Sequence, residues 1–400
     1  MTCQRQPAQW LVAQPNALNA LPEFTLRLFV SEFLCGGGWS GDDRPVSLVR
    51  EGAAMLRALL RDLLRISQLQ IVTTWDQRLA EELGMESLAL QVIPVSGPDE
   101  EREVFARLCQ EVDGTYVIAP ELDDELSRRV SVAFCSATER SFAEQKTTLR
   151  NWNCSVEAID LCGDKWALYE HFTRCGIPTI PTQRVGSDSE EVALSWPRVL
   201  KLRMGAGSQS MQLVSSREEW EQAVHQYDST NRCTEAIAQP WVCGQSLSVG
   251  VIIDRSGAVH VLPVADQHID PQRGFAYLGG RIPTTVETGS FDSLIRQTLS
   301  TIPGLRGYVG VDLLIPENSW DRLPACHSHE SSRQAGSLSH GTPLIVEINP
   351  RLTTSYVGYQ KLCLNNLAAL WIGEESLPQT LAWRSGPVEF SAAGEFRCGH

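Results

Sequence analysis

A chain of 400 residues, 42% hydrophobic and 20% charged, with 34 basic against 48 acidic side chains, has the composition of a globular protein of about two to three domains and excludes fibrous and disordered classes. No apolar run approaches the roughly 20 residues of a membrane helix, and Met1 to Ala20 lacks a basic start followed by an apolar block, so neither a span nor export is expected. A net charge of −14 offers no general attraction to nucleic acid or anionic lipid, which leaves a small anionic ligand in a local basic pocket.

The 12 cysteines include no C-x-x-C pair and read as reduced, mostly buried residues of a cytoplasmic protein. Of the 34 basic residues only Lys146, Lys165, Lys201 and Lys361 are lysines. A chain that otherwise uses Arg marks with these few the places where a compact ammonium is wanted.

Along the chain, residues 1–23 read as a loose tail. Leu26 to Phe33 reads as a buried strand running into Gly36-Gly37-Gly38, and Leu48 to Ile66 as an amphipathic helix. Strands at Ile71 to Thr74, Gln91 to Pro94 and Gly114 to Ala119, with a helix at Glu100 to Gln110, predict a parallel α/β domain over 24–150. The glycines do not spell G-x-G-x-x-G, so a dinucleotide site has little support.

From about residue 151 the pattern changes. Asp164 is placed to cap a helix through Arg174 that ends at Gly176. Beyond it, strands at 198–203, 211–214, 236–239, 247–254, 259–264, 310–315 and 344–348, with helices at 216–227 and 290–302, predict an antiparallel α+β domain over 151–385. Its lobes are expected at about 151–235 and 236–375, with a Ser- and His-rich insert at 317–342 and a tail at 386–400. Cys326-His327-Ser328-His329 in that insert could bind a metal or be an incidental cluster.

Three constellations can carry chemistry. Lys201 is followed by Gly205-Ala206-Gly207-Ser208 and then an apolar strand. Small residues there let backbone N–H groups approach a polyphosphate, although a plain hairpin turn reads the same way; since the Lys precedes the glycines, it is not a Walker A loop. Asp312 ends an apolar run, and Val346-Glu347-Ile348-Asn349-Pro350-Arg351 sets Glu347 and Asn349 on one strand face. These oxygens suit Mg²⁺, and Arg351 offers a donor fork to phosphate; the bland alternative is a surface carboxylate beside an Asn-Pro turn. Gln239 to Val249 reads as an inter-lobe linker able to present backbone groups and apolar cover to a purine, or as an ordinary hairpin.

In this order, Lys165, Lys201 with its glycine loop, the Gln239 linker, Asp312 and E-x-N-P-R resemble the ATP-grasp superfamily of carboxylate–amine and carboxylate–thiol ligases, over roughly 150–375. The resemblance implies an α/β pre-ATP-grasp domain followed by an α+β ATP-grasp fold of two lobes. It implies that Lys165 and Lys201 contact ATP phosphates, that the loop with Gly205, Gly207 and Ser208 closes over them, and that Gln239 and Val242 meet the adenine. Asp312, Glu347 and Asn349 would hold Mg²⁺ or Mn²⁺, with Arg351 and Arg281 stabilising the transferring phosphoryl group. Ser246 stands where the family often has a ribose-binding Glu, and Gly310 where some members have an Arg.

Phe29 to Gly38, Tyr277-Leu278-Gly279-Gly280 and Asn349 to Tyr356 resemble more closely the branch that includes the tyramine–L-glutamate ligase of methanofuran biosynthesis, whose bacterial relatives accompany one-carbon metabolism. The resemblance implies an acyl-phosphate route with small-molecule carboxylate and amine substrates; a homodimer is compatible with it, and neither nucleic acid nor membrane is a partner. Another amino-acid or peptide ligase fits the motifs equally, and a nucleotide-binding regulator without turnover is the other class. Gly36, Gly37 and Gly38, at a strand's carboxyl end, either line the acceptor site or only permit a tight turn.

Overall fold

The computed structural model describes residues 26–41, 44–67, 69–144, 150–185, 194–205, 211–229, 236–289, 291–317, 342–372 and 380–397. The expected tail at 1–23, Gly207, Ser208 and nearly all of the 317–342 insert, its Cys-His cluster included, lie outside the described residues.

The first part alternates as its periodicity predicts: β1 (Leu26–Glu32), α1 (Val46–Leu63), β2 (Leu69–Asp76), β3 (Leu90–Val95), α2 (Pro98–Glu111), β4 (Gly114–Ile118), α3 (Glu125–Glu144) and β5 (Arg150–Asn151). The strands form a parallel sheet in the order β3-β2-β1-β4-β5. A sheet covered on both faces needs apolar residues on both, and Leu28, Phe29 and Val30 of β1 are fully buried. Leu56, Leu59, Leu60 and Leu63 form the buried stripe of α1.

Next come α4 (Val156–Gly163), α5 (Lys165–Cys175), β6 (Gln183–Val185), β7 (Arg198–Leu202), β8 (Gln212–Val214), α6 (Arg217–Ser229) and β9 (Ala236–Pro240). Strands β6 to β9 make an antiparallel sheet, order β6-β9-β7-β8, with a small core of its own around Leu200, Val214, Tyr227 and Ala238.

The remaining elements are β10 (Gly244–Ile253), β11 (Val259–Val261), β12 (Ala265–Asp270), β13 (Ala276–Ile282), α7 (Phe291–Ser300), β14 (Gly307–Pro316), β15 (Leu344–Asn349), α8 (Ser355–Leu362), β16 (Val388–Ser391) and β17 (Phe396–Arg397). They build an antiparallel sheet in the order β15-β14-β10-β12-β13-β16-β17, with β11 beside β10. Residues 388–397 are therefore not a tail. Val388 and Phe390 alternate toward the interior, Phe390 is buried, and β16 pairs with β13.

One continuous core joins the first sheet to the eight-stranded one. At its centre Trp371 lies 6.2 Å from Tyr116 of β4, 6.4 Å from Tyr308 of β14 and 6.0 Å from Tyr356 of α8, measured between ring centroids. The Tyr356 hydroxyl donates to Asp62 of α1 at 2.7 Å, fixing α8 against the first domain. Among the described residues no helix is long and apolar enough to cross a membrane.

Candidate active site

Two stretches of backbone bring the cavity lysines together. The Asp164 side chain accepts from Trp166 N at 3.0 Å and Ala167 N at 3.1 Å, capping the helix that begins at Lys165, and Gly176 closes it in the left-handed conformation. Arg203, just past β7, donates its Nε to Asp164 at 2.7 Å, and Lys165 N donates to Arg203 O at 3.1 Å. Burial opposes it, but the Arg203 pairing and the capping amides hold the Asp164 carboxyl below its usual range. Asp164→Ala is expected to cost about 1–2 kcal/mol, seen as a lowered midpoint in urea unfolding, because one change removes both cap and ion pair.

Lys165, Lys201, Gly205, Ser246, Asp312, Glu347, Asn349 and Arg351 all line one cavity of about 250 Å³ between the two antiparallel sheets. Lys165 Nζ donates to Gly205 O at 2.5 Å and lies 3.9 Å from Glu347 Oε1. Lys201 is buried, and burial together with the charge of Lys165 pushes its ammonium down to about 8. A second anion would reverse that cost, so the two cations are set to receive negative charge.

Opposite them, Asp312 of β14 pairs in register with Glu347 of β15. Burial, and then Glu347, push the Asp312 carboxyl up to about 7, while Asn349 Nδ2 at 3.0 Å and Gln267 Nε2 at 2.8 Å donate to it. Two carboxylates and an amide oxygen crowded in a half-buried place are hard donors that suit Mg²⁺, leaving other positions to phosphate and water. Among the described residues no three His, Cys, Asp or Glu gather, so this mixed set is what a divalent ion would meet. Arg351 reaches both oxygens of Glu121, the third residue after β4, at 2.9 Å from its Nε, and thereby ties the site to the first domain.

Several expected residues stand elsewhere. Arg281 does not reach the cavity. Ile269 pairs with Tyr277 and His268 with Gly279, so Leu278 is an extra residue, and this bulge reverses which side chains of β13 face the cavity. Arg281 pairs with Asp266, on the face opposite Gln267 and Ile269, lies 3.7 Å from Glu389, and borders a separate hollow with Pro283, Trp383 and Arg384. Gln239 donates its amide to Thr182 at 2.8 Å, and Val242 packs with Ile180, Leu314 and Leu344, whose neighbour Val346 lines the cavity.

Gly36, Gly37 and Gly38 do not line the cavity either. They form the tight turn after β1, with Gly36 N bonded to Glu32 O and Gly38 N to Phe33 O, both at 2.9 Å. Gly37 has φ +102°, and a Cβ on Gly36 would stand 2.1 Å from Glu32 O, so only glycine fits. The buried Glu32 side chain also accepts from Cys35 N at 2.6 Å, and burial lifts its carboxyl to about 7. A carboxyl raised by folding contributes stability fully below about pH 4.5 and loses it as pH rises through about 7, a difference of about 3 kcal/mol. Glu32→Gln, neutral throughout, is expected to flatten the fall in unfolding free energy between about pH 4.5 and pH 7.

Sequence reasoning missed Glu51, Ser248, Gln267, Tyr277, Thr353, Thr354 and Ser355 in the cavity wall, and Glu121 behind Arg351. Ser248 carried a signal, sitting two residues after Ser246 on one strand. Glu51 and Gln267 carried none, since they come from elements distant in the chain.

Two family models match the chain: that of the ATP-grasp domain over residues 162–355, and that of the pre-ATP-grasp 3 domain over 69–137. The tyramine–L-glutamate ligase of Methanocaldococcus jannaschii is 22% identical over 314 residues, 78% of this chain and 79% of that protein. That of Methanocaldococcus fervens is 30% identical over 122 residues, 30% of this chain and 32% of the relative. Among solved structures, an Archaeoglobus fulgidus protein assigned to the ATP-grasp superfamily aligns with TM-score 0.60 at 20% identity, over 91% of this chain and 92% of that one. The N5-carboxyaminoimidazole synthetase of Staphylococcus aureus, complexed with ADP, aligns with TM-score 0.63 at 12% identity, over 92% and 82%. The chain thus carries an ATP-grasp domain over residues 162–355, with a pre-ATP-grasp domain ahead of it over 69–137.

Proposed function

We propose that the protein is an ATP-dependent ligase that joins a carboxylate to an amine through an acyl phosphate, with glutamate and tyramine as the first substrates to test. The observation that carries this reading is the convergence of Lys165, Lys201, Asp312, Glu347, Asn349 and Arg351 on one cavity. The two tyramine–L-glutamate ligases among the relatives point to the substrates.

Lys165 and Lys201 bind the phosphates, and the buried Lys201 has most to gain in doing so. Asp312, Glu347 and Asn349 would hold Mg²⁺, which supplies charge neutralisation between phosphates and carboxylates. The carboxylate oxygen attacks the γ-phosphorus, ADP departs, and Arg351 offsets charge on the group in flight. The amine then attacks the acyl carbon, phosphate leaves, and the amine's proton is released with it. Positioning and charge carry such a reaction, so no nucleophilic Ser or Cys is needed. Ser246 lines the cavity in place of the usual carboxylate, which fits a looser hold on ribose. A cytoplasmic setting accords with the ATP requirement.

The test is ADP release by the purified protein with Mg·ATP, glutamate and tyramine, each omitted in turn, with the product mass recorded. Release that needs both, with the mass of the amide, is the expected result. Mg-dependent ATP binding without use of either would move the substrate assignment to another amino acid or peptide, and absence of ATP binding would sink the ligase reading.

A further inference from the structure

The wall of the cavity that the first domain closes is made differently from the rest. Glu51 projects there from α1, beside Tyr277, Arg351, Thr354 and Ser355. Among the described residues Glu51 takes part in no ion pair within 4 Å, and its hydrogen bond comes from the Thr354 hydroxyl at 3.4 Å, near the outer limit for such a bond. Burial lifts its carboxyl to about 7 even though Arg351 pulls the other way, as happens to an anion short of partners. The contacts that hold the domains together use other groups: Glu121 with Arg351, and Asp62 with Tyr356. Glu51 is thus an incompletely satisfied carboxylate facing the cavity, and its one bond across the domains is the long one from Thr354.

An ammonium group presents three donors, and Glu51, the Tyr277 hydroxyl and the Thr354 hydroxyl offer acceptors on this wall. Arg351 stands next to them with the opposite charge, held cationic by Glu121 first among its neighbours. A wall with one anion beside one cation is complementary to a ligand that carries both charges.

We propose that this wall binds the carboxylate substrate as a zwitterionic amino acid, with Glu51 holding its ammonium group and Arg351 its carboxylate. The assignment rests on the ligase reading and gives it a specificity residue. It also predicts that the bound amino acid does not react with itself. An ammonium kept protonated against Glu51 has no lone pair to attack the acyl phosphate, so the nucleophile must be a second amine.

The test uses hydroxylamine in place of that amine, since its attack on an acyl phosphate releases phosphate and leaves a hydroxamate that iron(III) colours. Each common L-amino acid, glutamate first, is compared with the same acid lacking its amino group, glutarate for glutamate, in the wild-type protein, Glu51→Gln and Glu51→Asp. The expected result is a preference for the amino acid over its counterpart. Glu51→Gln should raise its KM about tenfold or more, KM for ATP should stay within about twofold, and Glu51→Asp should recover part of the loss. Equal use of both acids by the wild-type protein, or equal loss on both in Glu51→Gln, overturns the assignment and leaves the ligase reading standing. No hydroxamate from any acid overturns both.

Discussion

Glu347→Gln is expected to lower ATP-dependent turnover by about 10²–10³-fold or more while the protein still unfolds at the wild-type midpoint. Glu347 sits in register with Asp312 across β15 and β14 and 3.9 Å from Lys165, so under the proposed ligase reading its charge would serve the cation-binding set and the phosphate-facing lysine together. Gln keeps the shape and removes that charge. Asp312 would then be the single carboxylate facing the cation, and Lys165 would lose its counter-charge. Steady-state ADP release at saturating Mg·ATP, alongside a urea titration, separates the two quantities. Turnover within twofold of wild type would remove Glu347 from the reacting region.

The largest effect on stability is expected at Trp371→Ala, about 3–5 kcal/mol. The indole is almost wholly buried and touches rings from three elements that belong to both domains. Gly307, which enters β14 with φ +66°, lies close enough that a Cβ there would stand 3.3 Å from the indole, so the neighbouring backbone is already packed against it. Cutting the side chain leaves a cavity at the domain junction that the rigid sheets on either side cannot close. Urea unfolding followed by circular dichroism should show a lower midpoint, and a second transition would mean that the two domains had become uncoupled. A loss below about 1 kcal/mol would show that Tyr116, Tyr308 and Tyr356 hold the junction without it.

The cavity's central chemistry was legible in the chain because it is written in short, strongly patterned elements. A strand alternates faces every residue, so Glu347 and Asn349 had to share one, whatever lay across from them. Asp164 and Gly176 bracket α5 through local cap chemistry that needs no tertiary partner, and this put Lys165 at a helix start. The alternation of strands and amphipathic helices ahead of it, with Leu56, Leu59, Leu60 and Leu63 on one stripe, was enough for a parallel α/β layer.

Less visible were β12 and β13, since Gln267 and Tyr277 face a polar cavity and the strands lack a clean alternation of apolar and polar residues. The bulge at Leu278 that turns Arg281 away is a property of two paired strands, and no single stretch of sequence contains it. In the same way Gly36 to Gly38 carry the composition of a ligand loop and the geometry of a buried turn, a distinction made by Glu32 and Phe33 packing beneath them. What the sequence by itself determined was therefore the set of short-range elements and the chemical types they carry, through periodicity, caps and alternation. What only the tertiary structure decided was which of those groups meet: Glu121 against Arg351, Glu51 on the cavity wall, and Arg281 outside it. Such meetings depend on sheet register and domain packing, which sum over contacts hundreds of residues apart.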